Sequence, residues 1–263
     1  MLRDIMDSLP LISVLLITVV IVLSAIELGY RIGLWRTREK SNDSEAQLSA
    51  MTAANLALLA FIMAFSFGQA GAHHDQRKAL ILDEANAIGT AYLRAGLVDP
   101  KRGNAIRELL QEYTAVRAQL GSSADQDPGP IIEASVVLQI KMWHQLEAQA
   151  QSAPTDGMDS LLVRAINEII ILHERRVAAG LRNRIPTSIW IALVSLLVLS
   201  MLGLGHFSGV KGSRNPVSST ALALSFSMVF FIIADLDRPN AGLVKTDQSA
   251  ILELNQRLSK SPR

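Results

Sequence analysis

The chain has 263 residues and a formal net charge of +1, and 49% of its residues are apolar. This near-neutral charge gives no electrostatic basis for nucleic-acid binding, so no nucleic-acid partner is expected. The absence of cysteine excludes disulfides, thiolate metal sites and cysteine nucleophiles. Mean hydropathy is +0.28, and the apolar residues are concentrated in blocks, which is typical of a membrane protein.

Four stretches without Asp, Glu, Lys or Arg lie in two pairs towards the two ends of the chain, at residues 8–26, 46–72, 185–210 and 215–234. A helix of roughly 20 apolar residues crosses the hydrocarbon core of a bilayer. The sequence therefore predicts an all-α integral membrane protein, whose four transmembrane helices form two pairs that flank a helical extramembrane domain. The predicted divisions are 1–70 for the first pair, 71–184 for the extramembrane domain, 185–236 for the second pair and 237–263 for a polar tail.

The first two spans differ in composition. Span one, predicted at residues 9–28, is rich in β-branched residues, whereas span two, at 49–68, is rich in small residues, most of them alanine. Small residues of this kind let helices pack closely in a membrane. No Gly/Pro break separates span two from residues 72–95, so one long helix is predicted there.

The rest of the chain also has a helical pattern. Asp99 and Pro100 are typical of an N-cap and a first helical position. Further helices are predicted at 99–120, 131–151, 158–184, 187–205 and 217–234, with a short hairpin at 206–216 between the last two spans. The tail shows only a weak amphipathic pattern, at Ile251, Leu254 and Leu258.

The basic residues support two opposite orientations in the membrane. The short loops at 31–40 and 211–214 hold six Lys and Arg residues, against Arg3 alone in the N-terminal tail. Because basic residues in short loops favour the cytoplasm, this count places the extramembrane domain outside. Eight basic residues at the flanks of the domain and the start of the tail favour the reverse, although long segments count less in the rule. They are Arg77, Lys78, Arg175, Arg176, Arg182, Arg184, Arg238 and Lys245.

Span two contains two phenylalanines four residues apart, Phe61 and Phe65, on a face that also holds Ala57 and Gly68. The simplest interpretation is helix packing. The alternative is the hydrophobic neck of a pore, which sheds water and so blocks ions.

A group of charged residues is predicted near the ends of the first and last helices of the extramembrane domain. Its members are Asp83, Glu84, Arg94, Glu174, Arg175, Arg176 and Arg182. If these two helices pack antiparallel, Glu84 should approach one of Arg175, Arg176 and Arg182. The group then forms interhelical ion pairs that fix the helix register, or a charged vestibule of a pore.

Charges also lie at the ends of the spans, at Glu27, Asp235, Asp237 and Arg238. Glu27 is predicted to pair with Arg31 or to reach the membrane surface. The other three are interpreted as a charged stop with local pairing. A carboxylate at the depth of a span, such as Glu27, is also a functional candidate.

Histidines give only weak signals. His73-His74-Asp75 could ligate a metal, but adjacent side chains on a helix point about 100° apart, so a solvated helix start is the preferred interpretation. His173-Glu174 lacks the second histidine of a zinc protease motif. No nucleophile elbow, phosphate loop or paired-carboxylate site is found, so the sequence predicts a non-enzyme with no cofactor and no metal.

Two motifs resemble a known family. Residues 83–94 read Asp-Glu-Ala-Asn-Ala-Ile-Gly-Thr-Ala-Tyr-Leu-Arg and follow Gln76-Arg77-Lys78, and residues 235–239 read Asp-Leu-Asp-Arg-Pro, followed by Gly242-Leu243. Together with the basic first loop, they resemble the bestrophin-like family of bacterial membrane proteins over nearly the whole chain. The resemblance implies kinship with bestrophins, which are pentameric anion channels with two pairs of spans around a helical cytosolic domain. It also favours a cytoplasmic extramembrane domain.

The leading functional hypothesis is an oligomeric ion channel in the inner membrane, with passive flow along an axis lined by span two. Its expected partners are the lipid bilayer, inorganic ions and further copies of the chain, five in all by the resemblance. The alternative is a non-conducting membrane sensor or scaffold whose helical domain binds another protein. A ring of subunits around span two favours conduction, and a monomer or axis-free dimer favours the scaffold.

Overall fold

The computed structural model describes residues 9–38, 45–122, 127–152, 157–238 and 242–260. These residues form helices, turns and short connections without any strand, which confirms the all-α prediction. The helices are α1 Leu11–Arg38, α2 Glu45–Ala95, α3 Pro100–Ser122, α4 Gly129–Ser152, α5 Gly157–Val177, α6 Thr187–Lys211, α7 Pro216–Asp237 and α8 Ser249–Ser259, with a π-helical turn at Ala178–Arg182 after α5.

Four helical segments are long and apolar enough to cross a membrane, as predicted. They are α1, α2, the run from α5 through α6, and α7. Helix α2 is a single helix of 51 residues, so the predicted continuity of span two with the following segment is also confirmed.

The fourth domain helix, predicted at about 158–184, changes type before its end. Helix α5 ends at Val177, and the π-helical turn Ala178–Arg182 continues the helical structure to within two residues of the predicted end. Pro186 then precedes α6, where its fixed φ angle and missing N–H suit a helix start. Residues 183–186 therefore separate the two helices.

The predicted hairpin at 206–216 is also too long. Helix α6 continues to Lys211 because no breaker intervenes, and Gly212 ends it in a left-handed conformation with φ +66°. Asn215 then starts α7 by accepting a hydrogen bond from the Ser218 N–H, with Pro216 at the first helical position.

The chain forms two compact units. The apolar unit comprises the described residues of 9–72, 184–238 and 242–244, and the polar unit comprises those of 73–183 and 245–260. The core of the apolar unit is formed by side chains of α1, α2, α6 and α7, such as Val22, Leu59, Met201 and Ile233.

The core of the polar unit draws on the second half of α2 and on α3, α4, α5 and α8. It includes Ile88, Leu110, Met142, Ile166 and Ile251. Helix α8 lies in the region for which the sequence predicted only a polar tail. Ile251 and Leu258 are seven residues apart and both buried, so the weak apolar pattern marks a packed helix.

Glycines hold α1 and α6 at close range. Gly29 on α1 lies against the main chain of α6, where a Cβ would collide with the carbonyl oxygen of Leu202. Gly205 on α6 lies equally close to the carbonyl oxygen of Ile26 on α1. Gly33 and Gly209, each one turn further along, repeat the contact, so both helices carry the small-xxx-small spacing of close membrane helix pairs.

Candidate functional site

The candidate site is built around Glu84, a carboxylate in the core of the polar unit. It lies on α2 between Ile81 and Ile88, on the face that packs into the core, and it is fully buried. A buried carboxylate is stable only when charges and hydrogen bonds replace its lost hydration. The neighbours of Glu84 supply both.

Three side chains bind Glu84. The Tyr113 hydroxyl donates to Oε1 at 2.6 Å. Arg117 donates from Nη2 to Oε2 at 3.3 Å and places Nε 3.1 Å from Oε1. Arg176 on α5 donates from Nη1 to Oε2. Two guanidinium groups and a phenol therefore occupy both oxygens of one carboxylate.

A second group of residues holds these three in place. The Tyr113 oxygen lies 3.4 Å from Nδ1 of His173 and accepts a hydrogen bond from Gln139 at 3.4 Å. Arg176 also donates from Nη2 to the Gln248 side chain at 3.2 Å, which ties α5 to the segment before α8. The cluster therefore links α2, α3, α4, α5 and the start of α8.

The charges of the cluster determine its protonation state. Burial alone would raise the pKa of Glu84, but the charges of Arg176 and Arg117, with the Tyr113 hydrogen bond, outweigh burial and lower the pKa to about 2. Burial, followed by the charge of Arg117, lowers the pKa of His173 to about 4. Burial and the charge of Glu84 raise the pKa of the Tyr113 hydroxyl. At neutral pH the site therefore holds a charged Glu84 and a neutral His173.

The structure brings together only part of the predicted charged group. Glu84 contacts Arg176, one of the three arginines expected near it. Asp83, Glu174, Arg175 and Arg182 are exposed, and Arg94 instead donates to the main-chain oxygen of Leu161 at 3.1 Å. The cause is helix geometry, since neighbouring residues on a helix point about 100° apart and only one of each adjacent pair faces the core.

Tyr113, Arg117 and His173 are central to the site, but the sequence analysis did not select the first two and dismissed the third as a failed zinc motif. A signal was available on α3. Ile106, Leu110 and Tyr113 lie on one buried face, and Arg117 continues that face one turn later. A charged residue on an apolar helix face indicates a buried partner of opposite charge.

The two carboxylates at the end of α7 accept hydrogen bonds from main-chain N–H groups of the apolar unit. Asp237 is buried; it accepts the N–H of Ile185 at 2.8 Å and lies 3.3 Å from Nη2 of Arg184. Asp235, also buried, accepts the N–H groups of Leu243 and Val244 at 2.8 and 3.1 Å. The predicted charged stop is thus a pair of carboxylates that fix the chain before α6 and after α7. Arg238 is buried as well.

Glu27 pairs with Arg31 on the next turn of α1, as predicted, at 2.9 Å from Nε. It also accepts from Nη2 of Arg214, in the connection between α6 and α7, at 2.8 Å. The guanidinium of Arg214 lies over the Tyr30 ring, 5.3 Å from its centroid. Glu27 thus connects α1 to the α6–α7 connection.

Phe61 and Phe65 lie on the outer face of α2 within the apolar unit. Their side chains are 68% and 62% exposed in the single chain. They therefore lie outside the core of this unit.

The histidine pair lies within α2 rather than at a helix start, and His73 and His74 are both half-buried. In the described part of the chain, no three His, Asp or Glu side chains lie close enough together to hold a metal ion.

Comparison with protein families gives one match that covers most of the chain. A model of the bestrophin-like domain matches residues 17–251. A search of curated protein sequences found no match.

Several solved structures share the fold. A crystal structure of a point mutant of a bacterial bestrophin homologue from Klebsiella pneumoniae superposes with a TM-score of 0.60 and 14% identity, over 94% of this chain and 97% of that chain. A second mutant of that homologue gives 0.59 and 14%, over 95% and 99%. A crystal structure described as a membrane protein gives 0.59 and 15%, over 95% and 98%. At these identities the likeness concerns the fold.

Proposed function

The chain belongs to the bestrophin-like family, and from this premise we propose that it forms an oligomeric ion channel in the bacterial inner membrane. In this proposal α1 with α2 and α6 with α7 form the two pairs of spans. The polar unit lies outside the bilayer. Ions flow passively along an axis surrounded by α2 from each copy, and the family resemblance implies five copies.

The exposed surface of α2 is the observation that carries this proposal. Within the apolar unit, α2 buries one narrow stripe, formed by Thr52, Leu59, Met63, Ser66 and Ala70. The exposed remainder is rich in small residues, at Ala53, Ala54, Ala57, Ala60, Ala64 and Gly68. Small residues favour close helix contacts over lipid contacts. This wide surface therefore supports packing of α2 against other copies of the chain.

Phe61 and Phe65 are proposed to form the neck of the pore. They are one turn apart on this exposed surface, so their rings lie on the same side of α2. A ring of phenyl groups contributed by several copies would be narrow and apolar enough to shed water. Such a constriction blocks ions without a charged gate.

Ion flux into liposomes tests this proposal. Replacing the pair in Phe61→Ala/Phe65→Ala should widen and wet the neck, so the purified variant should conduct ions several-fold faster than wild type. Leu16→Ala/Val20→Ala is the matched control, since these side chains are also four residues apart on a span and 60% and 62% exposed. The proposal fails if wild type and the Phe61→Ala/Phe65→Ala variant are both silent to anions and cations, or if both double variants raise the flux equally.

A scaffold function is the second candidate, and one observation in the polar unit favours it. Leu93 lies in the last turn of α2 and Leu97 lies in the turn that follows it, and their side chains are 70% and 62% exposed. Large exposed apolar side chains mark a contact surface for another molecule. Subunit counting by native mass spectrometry separates the two candidates, since a monomer or an axis-free dimer supports the scaffold.

A further inference from the structure

A cavity of about 240 Å³ lies in the apolar unit, between α1 and the connection that joins α6 to α7. Its wall includes Glu27 and Tyr30 on α1, Arg214 in the connection and Ser219 near the start of α7. This volume is several times the roughly 30 Å³ that one water takes in the liquid. The cavity therefore has room for a polyatomic group larger than a simple ion.

The cavity lies where α1 changes from a lipid-facing helix to an interfacial one. Glu27 is the first charged residue of α1, and Arg31 and Trp35 follow it on the next turns. Basic and tryptophan side chains are enriched where a helix leaves the hydrocarbon core. Leu23, one turn before Glu27, also lines the cavity, and Val20 continues this face with 62% exposure. The cavity thus borders the lipid-facing surface of α1 as well as the membrane surface.

The charges around the cavity favour an anion. Among the described residues, Glu27 and Arg214 are the only charged side chains that line it, and they pair at 2.8 Å. Arg31 holds the other oxygen of Glu27 at 2.9 Å. In the described part of the chain, these two arginines therefore share one carboxylate, which leaves one positive charge beside the cavity.

A cationic group would have to compete with these arginines for its place. Both oxygens of Glu27 already accept a hydrogen bond from a guanidinium. The Tyr30 ring also holds the Arg214 guanidinium, 5.3 Å from its centroid. Carboxylates and aromatic faces are the groups that bind an ammonium. The wall therefore selects against an ammonium and retains its affinity for a phosphate.

We propose that this cavity binds the headgroup of an anionic phospholipid that carries hydroxyl groups, of which phosphatidylglycerol is the simplest. Its phosphate diester has one negative charge, which balances the one positive charge left by Arg31, Arg214 and Glu27. Glu27 takes only one of the five N–H donors of Arg214, so the guanidinium retains a fork for the phosphate oxygens. Basic pockets between transmembrane helices bind anionic headgroups in this way.

The remaining wall suits the other parts of such a lipid. Hydroxyl and amide side chains both donate and accept hydrogen bonds, as the glycerol hydroxyls require. The wall supplies them from Ser208, Asn215, Ser219 and Thr220. Leu23 and the exposed Val20 lie towards the acyl chains. The proposal requires that the spans cross a bilayer, and it does not depend on conduction.

Native mass spectrometry of the delipidated full-length chain in detergent tests the proposal. The chain is titrated with phosphatidylglycerol, phosphatidylethanolamine and phosphatidylcholine that carry identical acyl chains. Phosphatidylglycerol should bind roughly fivefold more tightly than the other two, which is the usual effect of one basic residue on an anionic lipid. Glycerophosphoglycerol, the same headgroup without acyl chains, should not displace it at equal concentration, because it lacks the contacts with α1.

Two variants locate the site. Arg214→Gln removes the charge that faces the cavity and should abolish the preference for phosphatidylglycerol. Lys211→Gln is its matched control, since Lys211 is exposed, lies three residues away and does not line the cavity. Ser219→Phe fills the cavity without changing a charge and should weaken the binding severalfold. Ser218→Phe is its control, because the exposed Ser218 lies outside the wall.

The proposal is overturned if the three lipids bind equally or if Ser219→Phe retains the wild-type binding. It is also overturned if Lys211→Gln removes the preference as fully as Arg214→Gln, since binding would then reflect general surface charge. Displacement by an equal concentration of glycerophosphoglycerol would overturn the assignment to a lipid. None of these measurements involves ion flux, so their failure is distinct from a failure of the proposed conduction.

Discussion

Glu84 is held by two buried arginines and a tyrosine, and this determines what its removal costs. The carboxylate is the acceptor for Tyr113, Arg117 and Arg176. Without its charge, the guanidinium groups of Arg117 and Arg176 would stay in the core without the carboxylate that neutralises them. A buried ion pair that loses one member costs far more than the pair contributes when intact.

The first prediction is that Glu84→Gln lowers the free energy of unfolding by about 3 kcal/mol, the usual cost of leaving a buried charge without its partner. Asp83→Asn is the control, because Asp83 is the adjacent residue and is exposed. Its effect should stay within about 0.5 kcal/mol. Denaturant unfolding followed by tryptophan fluorescence measures both. Equal effects of the two variants would show that Glu84 does not hold the cluster together.

The second prediction concerns pH and His173. The pKa of His173 is about 4 in the folded chain, because of burial and the charge of Arg117, against 6.5 for an ordinary histidine. The unfolded chain therefore binds more protons between these values, and stability should fall as the pH drops from about 6.5 to 4. The loss is at most about 3 kcal/mol. Glu84, with a folded pKa of about 2 against 4.5, adds its own loss at lower pH.

Unfolding measured at several pH values between 7 and 4 tests this window. His173→Gln should flatten the dependence between pH 6.5 and 4. His144→Gln should leave it unchanged, because the His144 side chain is 69% exposed. A His173→Gln variant that keeps the full wild-type slope would assign the pH dependence to other groups.

Single residues were only partly predictable from the sequence. Glu84 and Arg176 were selected because they lie at similar distances from the spans, and the structure joins them. The selection could not separate Glu84 from Asp83, since which residue of an adjacent pair faces the core depends on helix rotation. Tyr113 contacts Glu84, which lies 29 positions earlier in the sequence, and Gln139 contacts Tyr113, which lies 26 positions earlier. The spacing of residues along one helix does not reveal contacts of this kind.

Helices α1 and α6 contact each other through main-chain atoms as well as through side chains. Helices α1 and α6 meet where Gly29 and Gly33 face Gly205 and Gly209, with carbonyl oxygens of each helix against the glycines of the other. No side chain larger than hydrogen fits between them. The contact fixes the distance between these two spans.

The third prediction is that Gly205→Leu separates α1 from α6. The new side chain would collide with the backbone at Ile26 and Tyr30, which cannot yield as a flexible side chain can. The loss of stability should be about 3 kcal/mol, at the upper end of the range for overpacked sites. Gly203→Leu is the control, because a Cβ at that position of the same helix meets nothing within 4 Å. Thermal unfolding in detergent compares the two, and equal midpoints would mean that the helices do not pack this closely.

Helices were predictable from the sequence where local signals are strong. Four apolar spans and the uninterrupted α2 follow from composition and from the lack of breakers. Helix ends were less predictable. Nothing in the amino-acid composition of the π-helical turn after Val177 distinguishes it from an α-helix. Helix α8 has only 11 residues, and only two of its apolar residues are buried. Its stability comes from packing on the polar unit, which a local pattern cannot show.

At the scale of the whole chain, the two motifs that carried the family resemblance each supply buried carboxylates. Residues 83–94 contribute Glu84 to the polar unit, and residues 235–239 contribute Asp235 and Asp237 to the apolar unit. These groups fix the fold of their units. The proposed conduction instead depends on the outer surface of α2, which a single chain leaves exposed.

Thiol labelling at Phe61 tests the proposed conduction path most directly. The chain contains no cysteine, so Phe61→Cys carries a single reactive thiol, and Leu16→Cys on the exposed face of α1 is the matched control. If α2 lines the axis, a bulky charged thiol reagent should abolish most of the ion flux of Phe61→Cys in liposomes and leave that of Leu16→Cys unchanged. Full labelling of Phe61→Cys with no loss of flux would contradict an axis lined by α2.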